Sequence, residues 1–354
     1  MLIIPSPKLE ANTVNALDSL LQNGTPLLAL APMQAITDLA FWKLLQRYGG
    51  PDVVYTEYFR VYATAKVDKR LLRSITQNST GWPVIAQLAG EDIPALVRIA
   101  QALEGYPVAA IDLNLGCPAP IVCRKKVGGA LLRDLPKVDA ILGALRDAIR
   151  KKFTVKTRIG YANADDFDRL LALFAKHGVD LVTVHGRTVK SGYAGEVRYD
   201  CIARAAAVLA CPVVANGDIQ SAPQAQAILQ QTGARGLMIG RGAIRNPWLF
   251  AQIRRQLEGE PVDLPTGRDV LAYVQELVAA VRPPQIPEHA HVKKMKKYLN
   301  FIGLGIESSA QFLHQIQRAS TQAEFARICE AFLDHPHPMP LVSPGAVILP
   351  RGAE

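Results

Sequence analysis

Short apolar runs recur along the chain, each followed by turn residues and then by apolar positions at helical spacing. The first run, Leu27–Ala31, ends at Pro32-Met33; Thr37-Asp38 then opens a helical stretch through Tyr48, stopped by Gly49-Gly50. Further runs are Val53–Tyr55, Val84–Leu88, Val108–Ile111 leading into Leu115, Thr154–Ile159, Leu181–Val184, Pro212–Ala215 and Gly236–Ile239. Helices are predicted over Asp92–Leu103, Pro136–Arg150, Asp165–Lys176, Tyr199–Ala210 and Ala222–Thr232. Runs this short and this uniformly apolar read as strands buried on both faces. Eight of them alternating with helices predict an α/β fold, a (β/α)8 TIM barrel. The competitor, an open doubly wound sheet binding a dinucleotide, would carry a glycine-rich turn after its first strand. Here that turn is Pro32-Met33-Gln34-Ala35.

After Asn246-Pro247 the alternation stops. Val270–Val281, His289–Ile302, Ser309–Arg318 and Thr321–Leu333 read as helices, with Pro261–Pro265 before them and Pro283-Pro284 among them. The predicted organisation is therefore an N-terminal extension (residues 1–25, with a short helix over Thr13–Leu21), a barrel (26–248), a small all-helical C-terminal domain (249–335) and an extended proline-rich tail (336–354).

Composition narrows the class. Of 354 residues, 49% are hydrophobic, enough for a large core, yet no apolar run approaches the roughly 20 residues of a membrane span. Met1–Thr25 lacks a basic segment followed by a long apolar one, so no export signal is expected. Five cysteines without a CxxC pair point to reduced thiols and a cytoplasmic setting rather than a disulfide framework or zinc ribbon. No carboxylate and histidine cluster has metal-ligand spacing, and His289-Ala290-His291 reads as a solvated helix start, so no metal is expected. A net charge of +9 suggests a polyanionic partner. Lys293, Lys294, Lys296 and Lys297, with Tyr298 nearby and no acid among them, would present one broad basic face to a phosphate backbone, unless they form an ordinary solvated surface.

In such a barrel the loops after the strands form the active face. Met33, Glu57, Arg60, Gln87, Asn114, Cys117, Lys156, Arg158, His185, Arg187, Asn216, Asp218 and Arg241 stand at or beside those strand ends. Any one could be a packing residue, but eight polar strand ends in register are not explained by solubility. Asp112-Leu113-Asn114-Leu115-Gly116-Cys117-Pro118 presents one thiol at a glycine–proline corner, and Arg124-Lys125-Lys126 add charge behind it. Asn216-Gly217-Asp218 and Gly240-Arg241-Gly242, after the seventh and eighth strands, suit a cofactor phosphate. Lys156, on a buried strand, needs an acceptor such as the pyrimidine end of a reduced flavin, and His185 could donate to the same ring.

These residues resemble the tRNA-dihydrouridine synthase family over roughly 27–335. The motifs are Ala-Pro-Met-x-x-x-Thr-Asp at 31–38, Gln87-Leu88-x-Gly90, Asn114-x-Gly116-Cys117-Pro118 with Gly128-Gly129-Ala130-x-Leu132, Lys156-x-Arg158-x-Gly160, His185-Gly186-Arg187-Thr188, Asn216-Gly217-Asp218-Ile219 and Gly240-Arg241-Gly242-Ala243. The resemblance implies an FMN enzyme using NADPH to reduce a D-loop uridine of tRNA. Reduced flavin would give hydride to C6, and Cys117 would protonate C5 of a base drawn out of its stack. It implies flavin contacts at Pro32, Met33, Gln87, Lys156, His185, Asn216, Gly217, Asp218, Gly240 and Arg241. It implies uracil or RNA contacts at Asn114, Tyr193, Arg187, Glu57, Arg60, Arg124, Lys125, Lys293, Lys294 and Lys297, in a protein acting as a monomer. Thr56–Val61 resembles the bacterial C-type subgroup, which acts on position 16. Pro120 and Cys123 stand where many members carry Lys and Asn, and the first motif also varies at Gln34-Ala35-Ile36 and Trp42. Two other readings stay open: a flavin barrel reducing a small pyrimidine, of the dihydroorotate dehydrogenase kind, which leaves the lysine-rich helix without a role, and a non-catalytic tRNA-binding protein on this fold.

Overall fold

The computed structural model describes residues 16–282 and 285–343. Nine strands form one parallel sheet: β1 (Leu27–Leu30), β2 (Val53–Tyr55), β3 (Phe59–Val61), β4 (Val84–Gly90), β5 (Ala110–Leu115), β6 (Lys152–Arg158), β7 (Leu181–His185), β8 (Val213–Asn216) and β9 (Gly236–Ile239). Their order is β2-β1-β9-β8-β7-β6-β5-β4-β3, and a further β2–β4 pairing closes the ring. The eight strands expected from the sequence thus form the barrel, and β3 is the addition. It shares an edge of β4 with β2: Val54 and Tyr55 pair with Val84 and Ile85, and Phe59–Val61 pair with Leu88–Gly90. Three residues with Arg60 turned to solvent leave no apolar run by which to predict β3.

Several helices between strands begin where a side-chain oxygen takes up a free backbone N–H group. Asp92 caps Ile93–Glu104 through the Ala95 N–H, and Asp134 caps Leu135–Ala148 through the Lys137 N–H. A helix over 69–76, capped by Asp68, lies between β3 and β4 and was not predicted, its three basic residues masking the buried pair Leu71 and Ile75. At the N-terminal side, residues 16–22 are helical; Leu17 is 1% exposed and joins a cluster with Leu27, Val53, Ile85, Ala110, Leu181 and Val214, with Leu20 and Leu21 packed on it. Arg235 fastens this helix by donating to the carbonyls of Leu21 and Thr25. Thr13–Asn15 of the predicted helix, Pro283-Pro284 and the tail beyond Ser343 lie outside the described residues.

The chain packs as two compact units. Among the described residues the first contains 16–34, 51–217 and 228–238, and the second contains 35–50, 218–227 and everything from 239 onward. The second includes the helices Leu39–Leu45, Leu249–Leu257, Gly267–Ala280, Glu288–Ile302, Ser309–Arg318 and Gln322–Leu333. Residues 35–50 therefore pack with the C-terminal helices, and tyrosines explain why. The Tyr298 hydroxyl donates to the Ile36 carbonyl at 2.8 Å, the Tyr48 hydroxyl to Glu276 at 2.9 Å, and Tyr48 stands edge-on to Trp248 and Tyr273. Capping boxes at Thr266/Asp269 and Thr321/Glu324 start two of the helices. His291 is 1% exposed, so the helix start expected to be solvated is buried there; its Nδ1 accepts from Gln322 Nε2 at 3.0 Å. Among the described residues no helix is long and apolar enough to cross a membrane.

Barrel closure depends on one missing side chain. A Cβ on Gly236 would stand 2.2 Å from the Leu27 carbonyl oxygen, at the seam where the Leu27 N–H donates to the Arg235 carbonyl at 3.1 Å. Gly236→Ala is expected to cost about 2–3 kcal/mol by overpacking this seam, read as a lower urea midpoint.

Candidate functional site

Side chains alternate along a strand, so every second residue of a barrel strand faces the interior. On β5 those residues include Asp112 and Asn114, and on β6 Thr154, Lys156 and Arg158, paired in register as Asp112–Thr154 and Asn114–Lys156. Gln87 of β4 is opposite Asp112. These polar residues form a connected set. Thr154 Oγ1 donates to Asp112 Oδ1 at 2.7 Å, Gln87 Nε2 donates to Asp112 Oδ2 at 2.8 Å, and Asn114 Nδ2 donates to Gln87 Oε1 at 2.8 Å. Asn114 Oδ1 then accepts the backbone N–H of Gly116 at 3.0 Å and of Cys117 at 2.9 Å. Asp112 and Gln87 are fully buried.

Cys117 follows β5 on a loop that close packing holds from behind. A Cβ on Gly129 would come within 2.6 Å of Val189 and 2.9 Å of the Cys117 carbonyl, while Gly128 sits at φ +61° against Cys117 and Asn114. That is the physical reason for the paired glycines behind the thiol. Cys123, at the end of the short helix Pro120–Cys123, directs its thiol to the Cys117 carbonyl at 3.6 Å. Arg158 joins this loop to the next: Nε donates to the Gly116 carbonyl at 2.9 Å, Nη1 to Thr188 at 2.8 Å and Gly192 at 2.6 Å, and the guanidinium lies 5.4 Å from the Tyr193 ring centroid. Tyr193 is 58% exposed and meets His185 edge-on at 6.4 Å. Arg187 is buried and donates through Nε and Nη2 to the Gly195 carbonyl, so it braces the loop that carries Tyr193.

Across the barrel, Lys156 Nζ donates to Asn216 Oδ1 at 3.0 Å, and Asn216 Nδ2 donates to the Met238 carbonyl at 2.7 Å. Burial drives the Lys156 ammonium down to about 8, with Arg158 pushing the same way and Asp112 opposing. Burial raises the Asp112 carboxyl to about 6 against the hydrogen bonds from Thr154 and Gln87 and the charge of Lys156. A half-buried ammonium at the end of one strand, an imidazole on the next and a carboxamide on the third form a donor set suited to an electron-rich ring.

The first unit thus brings together Gln87, Asn114, Cys117, Lys156, His185, Tyr193 and Asn216 from the sequence-derived set. Pro32 and Met33 are half-buried after β1, and Gly217, at φ +132°, approaches Val197. Glu57 is buried and paired with Arg70 at 2.8 Å, and Arg60 is exposed, its guanidinium 5.9 Å from the Tyr58 ring centroid. Arg124 and Lys125, directly after Pro120–Cys123, are exposed. In the second unit Arg241 Nη2 donates to Asp218 Oδ1 at 2.7 Å, next to Gly240. On the helix Glu288–Ile302, Lys293 and Lys297 are exposed, whereas Lys294 lies 3.6 Å from Asp38, Lys296 donates to the Gln317 carbonyl at 2.9 Å, and Tyr298 is buried. The broad face expected of four lysines and Tyr298 therefore narrows to two exposed cations a helical turn apart. Sequence reasoning placed Asp112 in the central motif without a role and did not single out Thr154. The alternation of polar residues at 112 and 114 and at 154, 156 and 158 within apolar strands is the signal that marks both as interior-facing.

Because burial brings the Lys156 ammonium down to about 8 from its ordinary 10.5, the unfolded chain binds more protons between pH 8 and 10.5. This group accordingly favours the fold more as pH rises through that window. Lys156→Met is expected to remove that increment, so its urea midpoint gains less than wild type between pH 8 and pH 10.

Residues 29–336 match the family model described as dihydrouridine synthase (Dus). The chain is 38% identical over 256 residues to tRNA-dihydrouridine synthase B of Pseudomonas putida, covering 72% of this chain and 76% of that one. It is 33% identical over 313 residues to tRNA-dihydrouridine synthase B of Pseudomonas aeruginosa, covering 87% and 93%. A probable tRNA-dihydrouridine synthase of Rickettsia conorii is 33% identical over 285 residues, covering 80% and 86%.

Proposed function

This chain belongs to the dihydrouridine synthase family, and from that membership we propose that it reduces one uridine of the tRNA D-loop to 5,6-dihydrouridine, with FMN as the cofactor and NADPH as reductant. The observation that supports this most directly is the Cys117 loop, its backbone N–H groups fixed by Asn114, beside the interior donors Lys156, His185 and Asn216. Those donors fit a flavin: the depressed Lys156 ammonium lacks full compensation from the protein and would gain it from an anionic pyrimidine ring. Within the first unit, Gln87, Asn216 and Gly217, with Pro32 and Met33, would hold the ring and its chain. When bound and reduced, the flavin supplies the hydride for C6.

The residues of the chain do the rest. Cys117 holds a proton on Sγ and delivers it to C5, so that hydride and proton together saturate the C5–C6 bond. The Asn114 carboxamide, which keeps one N–H beyond its bond to Gln87, and Tyr193 orient the uracil. The Arg187 brace and the Arg158 ties hold the Tyr193 loop in place. In the second unit, exposed Lys293 and Lys297 would serve the RNA backbone. A flavin barrel acting on a small pyrimidine would have no use for these cations. The resemblance of Thr56–Val61 favours position 16 as the target, whereas the two Pseudomonas relatives are named synthase B.

The decisive experiment maps dihydrouridine by position in tRNA from a host lacking this gene and from the same host with it restored. Restoration at one D-loop position is expected; position 16 would support the C-type reading, another position would remove it, and no restored site would refute the synthase reading. Cys117→Ala is expected to lose dihydrouridine formation by about 10²–10⁴-fold, with reduction of the bound flavin by NADPH unchanged in stopped-flow absorbance. Lys293→Glu/Lys297→Glu should weaken tRNA binding about tenfold or more at low salt and reduce the slope of log K against log salt by about 2, with flavin reduction again unaffected.

A further inference from the structure

We propose that Asp112 is a positioning residue for Cys117: through Gln87 and Asn114 it sets the direction of a hydrogen-bond relay that ends on the backbone N–H groups of Gly116 and Cys117. Asp112 lies at one end of the set and Cys117 at the other, with four side-chain or backbone acceptor–donor contacts of 2.8–3.0 Å between them. The two carboxamides in the middle can each be turned around, exchanging donor for acceptor. The two ends cannot be exchanged. Backbone N–H groups only donate, and an ionised carboxylate only accepts. Asn114 must therefore aim its oxygen at Gly116 and Cys117 and its nitrogen at Gln87, and Gln87 must then aim its nitrogen at Asp112. This direction is the one observed throughout. All the residues involved lie in the first unit, on β4, β5 and the loop after β5.

Burial gives the relay its force. Asp112 and Gln87 have no exposed surface and Asn114 is 6% exposed, so a donor left without an acceptor here cannot turn to water. Thr154 Oγ1 fills the other oxygen of Asp112 and so holds the carboxylate from the side opposite Gln87 without belonging to the relay. A hydroxyl can donate or accept, so Thr154 does not itself fix a direction. The family reading gives Gln87 and Asn114 roles toward flavin and uracil; the relay gives both a second task, which Asp112 controls from a position where it touches neither the thiol nor the base.

The test is hydrogen exchange, read by mass spectrometry, of the peptide containing Gly116 and Cys117. Asp112→Val removes the acceptor with little change in volume. Asp112→Asn keeps an oxygen for Gln87, with the Thr154 hydroxyl free to turn and accept the new amide. Thr154→Val removes the partner outside the relay. Asp112→Val is expected to speed exchange at Gly116-Cys117 about tenfold, the equivalent of roughly 1.4 kcal/mol for a buried hydrogen bond left unmade, with β7 and β8 unchanged. Asp112→Asn should restore protection to within about threefold, and Thr154→Val should match wild type at this peptide. Unchanged exchange in Asp112→Val, equal loss across β7 and β8, or the same loss in Thr154→Val would each overturn the proposal. Should Asp112→Val not fold, Gln87→Met disconnects Asp112 from Asn114 and carries the same test: protection must fall at Gly116-Cys117, and unchanged protection overturns the relay. The catalytic consequence, about a tenfold lower turnover of tRNA in Asp112→Val that Asp112→Asn recovers, rests on Cys117 being the proton donor. The exchange result does not, so an inactive wild-type protein with an intact relay would count against the functional reading alone.

Discussion

A closed parallel barrel leaves no water for the residues it turns inward, and this constraint governs the first unit. Most interior positions are met by apolar side chains, from Leu17 and Leu27 at one end through Val53, Ile85 and Val214. Where polar side chains stand instead, they must satisfy one another. Thr154, Asp112, Gln87 and Asn114 do so in an unbroken series, and the last partners in it are the backbone groups of the loop that carries the thiol. The position of Cys117 is thus a consequence of interior hydrogen bonding as well as of the Gly116–Pro118 corner.

The interior also sets the charges. Asp112, Lys156 and Arg158 are three ionisable groups on adjacent strands, and Lys156 feels both of the others. Burial raises the acid and lowers the amine, while their mutual attraction opposes both changes. Arg158 avoids the same conflict by giving its donors to three carbonyls, of Gly116, Thr188 and Gly192. Among the described residues, Lys156 gives its hydrogen bond to the Asn216 carboxamide oxygen and stands beside that arginine. The cationic deficit of hydrogen bonding therefore falls on one residue, at the strand end where an electron-rich ligand would relieve it. A barrel built for packing alone would have no such residue, since a methionine would fill the same space without the desolvation cost.

The period of the apolar runs made the barrel legible, because buried parallel strands write themselves as short uninterrupted apolar segments. Gly236–Ile239, Ala222–Thr232 and Ser309–Arg318 have the observed bounds, and most other elements shift by a few residues where caps such as Asp38 and Asp92 fall just outside the helix. Elements whose burial is carried by few residues were not legible. β3 buries Phe59 and Val61 only, the helix Lys69–Thr76 buries Leu71 and Ile75 only, and Leu249–Leu257 is interrupted by Gln252, Arg254 and Arg255. Polar interruptions of the strands were readable, and the structure has Lys156 on β6 and Asn216 at the end of β8. The partners of those residues were not, since a hydrogen bond between β4 and β5 is separated by 25 residues in sequence and leaves no local trace.

Lysines illustrate the same limit from the other side. A count along Lys293–Lys297 gives four cations and no acid, yet one is drawn toward Asp38 and another toward a helix-end carbonyl at Gln317. Charge in a sequence is an upper bound on charge available to a partner, because neighbours distant in sequence claim part of it. Asp38 does this while also capping the helix Leu39–Leu45 through the Phe41 N–H, so a single carboxylate both starts that helix and restrains Lys294. What remains outward, Lys293 and Lys297, is separated by four residues and hence shares one face, a spacing of about 6 Å along the helix axis. Successive phosphates along one nucleic acid strand lie on the same scale, which is the geometric basis of the contact proposed for these two cations.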